Sequence, residues 1–409
     1  MRPICLRGHE RAITRIIYNK EGDLIFTAGK NPSPNVWFSR NGERLGTFNG
    51  HAGVVWCLDV DWTSTHLVSG SGDATVRLWD VSNGKELNCI SRPSSVRACG
   101  FSYSGNLFFF VADVFKQNPA EVCVLDTRDE SHMKGDGCVL SITGSSLKSP
   151  VKAAIWGDLE DFIITGSDDG DLNMIDMRKK ASVKSVKAHS GLITDLQTHV
   201  DGTMFISASK DHTAKLHGIY ELDCIRTYTA ERPVNSASIS PNRPHQLESS
   251  RRLKLTSGSP YIRTEDTFVL QALAHVEPVF GPFHSSQKFV HLLSLLDVDL
   301  KSKSRQNETL SPPQTQVLLG GGQEARDVTV TAAQTGKFDA RFYHMIYAEE
   351  FGRVKGHFGP INSVAFNPDG SGFATGGEDG YVRLHVFDPD YEDVEQRLFS
   401  IPTGVVQAA

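Results

Sequence analysis

The sequence predicts an all-β chain folded as a seven-bladed β-propeller, a closed ring of seven four-stranded sheets, with an irregular insertion in blade six. Three observations predict it. Short runs of β-branched and apolar residues, such as Val54 to Val60, His66 to Ser69 and Thr75 to Trp79, are separated by clusters of Gly, Asp and Ser. A set of polar residues recurs at fixed offsets in four separate units. Complete and weak copies of that unit together number seven, enough to close a ring whose strand edges are short and protected.

The complete units come first. Gly8-His9, Gly50-His51, Ala188-His189 and Gly356-His357 each open a unit, and a Ser or Thr follows the His by 18 residues: Thr27, Ser69, Ser207 and Thr375. At +22 stand Asn31, Asp73, Asp211 and Asp379, and at +28 stand Trp37, Trp79, His217 and His385. The unit from Gly50 holds the whole set and ends Trp79-Asp80, which makes it a WD40 repeat. Weaker copies supply blades three, four and six. One runs from Ser94-Ser95-Val96 to Val124-Leu125-Asp126. Another runs from Ser149-Pro150-Val151 through Thr165 and Asp169 to Ile175-Asp176, and a third begins at Arg232-Pro233-Val234 and resumes at Val317 to Gly322. Closure requires the last blade to borrow a strand, and Ile4-Cys5-Leu6 is placed to complete the blade that opens at Gly356-His357.

The offsets have a local meaning. A His from the turn between blades, a Ser or Thr from a second strand, an Asp from a tight turn and a Trp from a third strand can join in one buried hydrogen-bonded network. The residues expected in it are His9, Thr27, Trp37, His51, Ser69, Asp73, Trp79, Thr165, Asp169, His189, Ser207, Asp211, His357, Thr375 and Asp379. Ser, His and Asp are also the parts of a hydrolytic triad. A set repeated in several blades and locked to turn geometry reads as structure, so no catalytic residue is assigned and the chain is expected not to be an enzyme.

From Gln246 to about Gln314 the repeat disappears, between the first and second strands of blade six. Three readings are open: a disordered extension, a helical excursion centred on Phe289 to Leu296, or sequence foreign to the working protein, such as a retained intron. One propeller is therefore expected over 1–390, interrupted by an irregular insertion at 246–314 and followed by a tail at 391–409.

Composition excludes several classes of function. The net charge of −6 is spread along the 409 residues, so no general basic footprint for nucleic acid exists. Seven scattered cysteines without a Cys-x-x-Cys pair signal neither disulfides nor zinc and read as small buried hydrophobes in a reducing compartment. The 15 histidines include no His-x-x-x-His, so no metal or cofactor is expected. The glycines Gly320-Gly321-Gly322 lack the Gly-Lys-Ser/Thr ending of a phosphate loop and read as a close backbone approach within a strand. Lys179, Lys180, Lys184 and Lys187 read as a solvated loop. No apolar run suits a signal peptide or a membrane span, which leaves a cytoplasmic protein as the expectation.

Segments outside the repeat narrow the reading further. Tyr18 to Leu24, Asn41 to Thr47, GGGQEARDVT from Gly320, and GKFDARFYH from Gly336 through to Gly356-His357-Phe358-Gly359-Pro360 closely resemble the family of subunit i of eukaryotic translation initiation factor 3. The resemblance covers about residues 1–242 and 316–391. It implies a non-enzymatic scaffold, attached to the factor through its subunits b and g, that supports 43S pre-initiation complex assembly, mRNA recruitment and scanning on the small ribosomal subunit. It further implies that a helix of subunit b docks near blades five and six, where Leu222, Ile225, Tyr228 and Arg232 are the expected contacts. Direct sequence-specific nucleic-acid binding and membrane association are not expected. An alternative comes from Ile175-Asp176-Met177-Arg178, which resembles the Asp-x-Arg ending of WD-repeat substrate receptors of cullin-RING ubiquitin ligases.

Overall fold

The turn residues shape each blade. Asn19, Asp61 and Ser102 end the first strands of blades one to three, and each side chain accepts the backbone N–H five residues on, at Leu24, His66 and Leu107. Gly22, Gly105, Gly202 and Gly370 then supply the left-handed backbone that returns the chain into a second strand.

The structure is a computed structural model that describes residues 3–116, 118–134, 137–143, 147, 149–241, 316–322 and 338–388. The first strand, β1 (Ile4–Leu6), belongs to the last blade. Blade one follows as β2 (Ile13–Tyr18), β3 (Leu24–Gly29), β4 (Asn35–Phe38) and β5 (Arg44–Thr47). Blade two is β6 (Val55–Val60), β7 (His66–Ser71), β8 (Thr75–Asp80) and β9 (Glu86–Ser91). Blade three is β10 (Val96–Phe101), β11 (Leu107–Ala112), β12 (Glu121–Asp126) and β13 (Leu140–Thr143), with one helical turn at Glu130–Met133. Blade four is β14 (Val151–Trp156), β15 (Phe162–Ser167), β16 (Asp171–Asp176) and β17 (Ala181–Lys187), with a 3-10 turn at Asp158–Glu160. Blade five is β18 (Ile193–Thr198), β19 (Met204–Ser209), β20 (Thr213–Gly218) and β21 (Cys224–Thr229). Blade six is β22 (Val234–Ile239), β23 (Gln316–Gly321), β24 (Ala340–His344) and β25 (Glu350–Val354), and blade seven adds β26 (Ile361–Phe366), β27 (Gly372–Gly377) and β28 (Val382–Val386). All seven sheets are antiparallel and four-stranded.

The first strands of successive blades touch in a complete ring, and β26 meets β2. Closure is through β1, whose Ile4 and Leu6 pair with Leu384 and Val382. The core fills the spaces between sheets. Leu6, Val382 and Leu384 pack on Ile13, Ile16 and Ile25 between blades seven and one, while Val68 and Leu78 meet Val96 and Phe108 between blades two and three.

Every first strand carries a bulge at its second residue. In four blades the bulged side chain donates to the carbonyl that opens the next first strand. Thr14 reaches Val55 O at 2.6 Å, Thr194 reaches Val234 O at 3.0 Å, Asn235 reaches Ile361 O at 3.0 Å and Asn362 reaches Ile13 O at 3.0 Å. These bonds link blades five, six, seven, one and two in an arc at one end of the channel. A second brace crosses the channel, where Arg15 of blade one pairs with Asp195 of blade five and Asp195 also accepts Ser236 Oγ at 2.6 Å.

Two expectations change at this level. Only Cys57, Cys99 and Cys123 are buried; Cys5, Cys89 and Cys224 lie on outermost strands and are exposed, as is Cys138. The lysine run is partly strand, for Lys184 and Lys187 stand on β17 and pair with Glu221 and Asp171. The glycine run behaves as expected of it: a Cβ on Gly321 would lie 2.1 Å from Pro233 O, and one on Gly320 would lie 2.6 Å from Val364 Cγ1. The insertion at 246–314 and the tail at 391–409 lie outside the described residues.

Candidate functional site

The recurring polar residues meet in blades one, two, five and seven. In blade two, His51 Nδ1 is 3.0 Å from Asp73 Oδ2, His51 Nε2 is 2.8 Å from Ser69 Oγ, and Trp79 Nε1 donates to that Oγ at 2.8 Å. The proton positions follow from the partners. The Asp73 carboxylate only accepts, so Nδ1 carries the imidazole proton; Nε2 then accepts from the Ser69 hydroxyl, whose oxygen accepts from the indole. Asp73 also takes the N–H of Ala52 at 2.8 Å and both the N–H and O–H of Thr75, at 3.0 and 2.6 Å. One carboxylate thus ties the turn that enters the blade to the turn between its second and third strands.

Blade five repeats this with His189, Ser207 and Asp211 at 2.8 and 2.9 Å, and His217 Nε2 takes the indole's place at 3.0 Å from Ser207 Oγ. In blade seven, His357 lies 2.9 Å from Thr375 Oγ1 and 3.0 Å from Asp379, which also receives Arg383. Blade one uses a neutral acceptor: His9 is 2.8 Å from both Asn31 Oδ1 and Thr27 Oγ1, and Trp37 donates to Thr27 at 2.9 Å.

The electrostatics follow the burial. Burial lowers the pKa of His51 and His189, only partly opposed by the adjacent carboxylates, so both rings are neutral at pH 7. For Asp211, burial pushes the carboxyl up but is outweighed by Thr213 and His189, which hold it at about 2. Ser69 is fully buried and its lone pair faces the indole. The order Ser, His, Asp matches a hydrolytic triad, yet a substrate carbonyl has no path to that oxygen.

Blade four departs from the expectation. Thr165 and Asp169 keep their offsets, but the position 22 residues before Asp169 is Leu147 and the aromatic position is Ile175. Without an imidazole to join them, Thr165 donates to Asn173 O at 3.4 Å and Asp169 is exposed. Thr75 and Thr213 are members that sequence reasoning missed, although each stands 24 residues after its His.

The expected partner contacts divide. Leu222 is 1% exposed, packed against Phe162 and Phe205, and Tyr228 is fully buried with its hydroxyl on Met345 O at 2.8 Å, so neither side chain can meet a partner. Strand alternation on β21 turns Tyr228 inward and leaves Ile225 49% exposed on the outer side; Arg232 is half-buried just beyond. In the Asp-x-Arg segment, Asp176 accepts the N–H of Arg178, whose guanidinium reaches Asp161 at 2.9 Å. Among the described residues no group of three or more metal-binding side chains converges, and no helix is long and apolar enough to cross a membrane.

A closed ring of seven blades, with His-Ser/Thr-Asp clasps at constant offsets, defines a WD-repeat propeller, and residues 349–385 match the model of the WD domain, G-beta repeat. Residues 1–247 match the EIF3I family model. The chain is 45% identical over 397 residues to Eukaryotic translation initiation factor 3 subunit I of Bombyx mori, covering 96% of this chain and 98% of that protein. It is 44% identical to the protein of that name from Anopheles gambiae, at 96% and 98% coverage, and 43% identical to that from Xenopus laevis, at 97% and 99%. The chain belongs to the EIF3I family. The ubiquitin-ligase receptor alternative finds no support among these relatives.

Proposed function

We propose that this chain is a non-enzymatic scaffold subunit of eukaryotic translation initiation factor 3, working in the cytoplasm. It binds subunits b and g and, through the complex, supports 43S pre-initiation complex assembly, mRNA recruitment and scanning on the small ribosomal subunit. The observation that carries the reading is near full-length identity of 41–45% to relatives that all bear the name of this factor's subunit I. The fold is consistent with it, since the polar clusters serve to brace blades and leave the outer surfaces for partners.

The helix-docking part of the reading rests on Ile225 and Arg232, with Leu222 and Tyr228 as the packed layer beneath. Tagged chain purified gently from its own cells is expected to carry subunits b and g, identified by mass spectrometry. Ile225→Asp should leave the thermal melt within about 1 °C, as expected of an exposed site, and reduce recovery of subunit b. Absence of other factor 3 subunits from the purified material would overturn the scaffold reading. Undiminished recovery of subunit b with Ile225→Asp would move the docking site elsewhere.

A further inference from the structure

We propose that the loops joining first to second strands in blades two to four form a docking surface for a basic, apolar-faced helix of a partner protein. The inference goes beyond the contacts proposed at Ile225 and Arg232 and does not depend on them.

The loop of blade four carries the strongest signal. Leu159 and Glu160 both adopt left-handed backbone, with φ of 49° and 62°, although neither is a glycine and a Cβ makes that backbone unfavourable. Side-chain hydrogen bonds hold the loop there. The Asp158 carboxylate accepts Tyr220 O–H at 2.6 Å, Glu160 accepts the N–H of Ser104 at 2.6 Å and Asp161 accepts Arg178 at 2.9 Å. The result is a leucine side chain 77% exposed, at the tip of a loop tied to blades three, four and five. Strain that its surroundings enforce, ending in an exposed apolar tip, is a feature of ligand-holding sites.

The neighbouring loops continue the surface. Tyr103 of blade three is 67% exposed and Trp62 of blade two 44%, with ring centroids 4.5 Å apart, and Lys20 of blade one lies 4.0 Å above the Trp62 ring. A groove of about 530 Å³ opens beside Trp62, lined by Asp61, Leu78, Leu87, Asn106 and Arg128, whose guanidinium is paired with Asp126 at 2.7 Å. Aromatic anchors beside a groove, with a polar rim, are the usual composition of a hot spot.

Charge identifies the occupant. In the six such loops that are described in full, Lys20 is the only lysine or arginine, against carboxylates at Glu21, Asp23, Asp61, Asp158, Glu160, Asp161, Asp201 and Asp369. An acidic rim around an apolar centre favours a basic partner and repels nucleic-acid phosphates and anionic lipid. The face consists of strand ends and offers no free ladder edge, so recognition is by side chains, as in a helix laid into a groove.

The test uses the full chain and a fluorescein-labelled helix of about 18 residues, or five turns, with leucines on one face and lysines on the other. An identical helix with glutamates for lysines is the control, and fluorescence anisotropy is the readout. The lysine helix should bind at least about tenfold tighter than the control and weaken between about 0.05 and 0.5 M salt, as charge attraction requires. Leu159→Asn keeps a residue that tolerates left-handed backbone, so the melt should hold while affinity falls by about thirtyfold, the loss of one hot spot. Tyr103→Ser, at a second exposed position, should also weaken binding. No binding, equal binding of both helices, or affinity unchanged in both variants would overturn the proposal. So would concentration-dependent self-association on sedimentation that Leu159→Asn abolishes, since the face would then belong to a second copy of this chain.

Discussion

Asp73→Ala tests whether the clasp braces its blade. The carboxylate receives four hydrogen bonds, from His51, the Ala52 amide, and the amide and hydroxyl of Thr75. Their fates differ on truncation. Ala52 is exposed, and the space left by the carboxylate opens to solvent, so the Ala52 and Thr75 donors can turn to water. The His51 side chain is fully buried, and its Nδ1–H has no other acceptor as strong. The charge-assisted bond lost from this buried donor, which keeps only the neutral Thr75 Oγ1 at 3.1 Å, amounts to about 2–3 kcal/mol. For a domain of this size that is a fall in Tm of about 3–4 °C. Blade one provides the internal comparison. There His9 meets the neutral oxygen of Asn31, so Asn31→Ala should cost only about 1 kcal/mol, the worth of an uncharged bond. Calorimetric melts of both variants at pH 7 decide the matter. An Asp73→Ala melt equal to wild type, or a larger loss from Asn31→Ala, would refute the argument that buried charge-assisted bonds set the strength of the clasps.

Acid should destabilise the chain in two stages. Burial holds His217 and His385 at about 4 in the fold, below the ordinary 6.5, so the unfolded chain binds more protons between those values and stability falls as pH drops from 6.5 to 4. Asp211, held at about 2 against an ordinary 3.8, adds a further loss as pH falls from about 4 to 2. His385→Phe preserves the stack on Phe373, where the rings lie 4.6 Å apart, and should flatten the first stage by up to about 3 kcal/mol; an unchanged slope in urea melts at pH 7 and pH 5 would count against it. Tyr228→Phe removes a buried hydroxyl bonded to Met345 O, which should cost about 1–2 kcal/mol in a thermal melt without altering recovery of subunit b; lost recovery with an unaltered melt would return Tyr228 to the partner surface.

The sequence alone determined the blade count, the closing strand and most of the clasps, because each rests on a local rule. A strand-turn-strand unit repeats its chemistry at every pass, so constant offsets of 18 and 22 from His9, His51, His189 and His357 survive as visible periodicity. Blade four was misread: Thr165 and Asp169 were joined on their offsets, although Leu147 at the His position denies them a shared partner. Tyr228 was misjudged because alternation on β21 gives a period of two without saying which set faces inward, and that is decided by the packing of blade five on its neighbours; Leu222 stands in the turn before β21, at φ 54°, and is buried there among Phe162 and Phe205. Other features have no signature in the linear order. Arg15 and Asp195 are 180 residues apart and meet only because the ring closes, and the arc of bonds from Thr14, Thr194, Asn235 and Asn362 joins strands of different blades. Leu159 gains its exposed, left-handed pose from Tyr220 and Ser104, residues of the blades on either side. Repetition along the chain writes the blades into the sequence, whereas contacts around the ring exist only once the chain has come full circle.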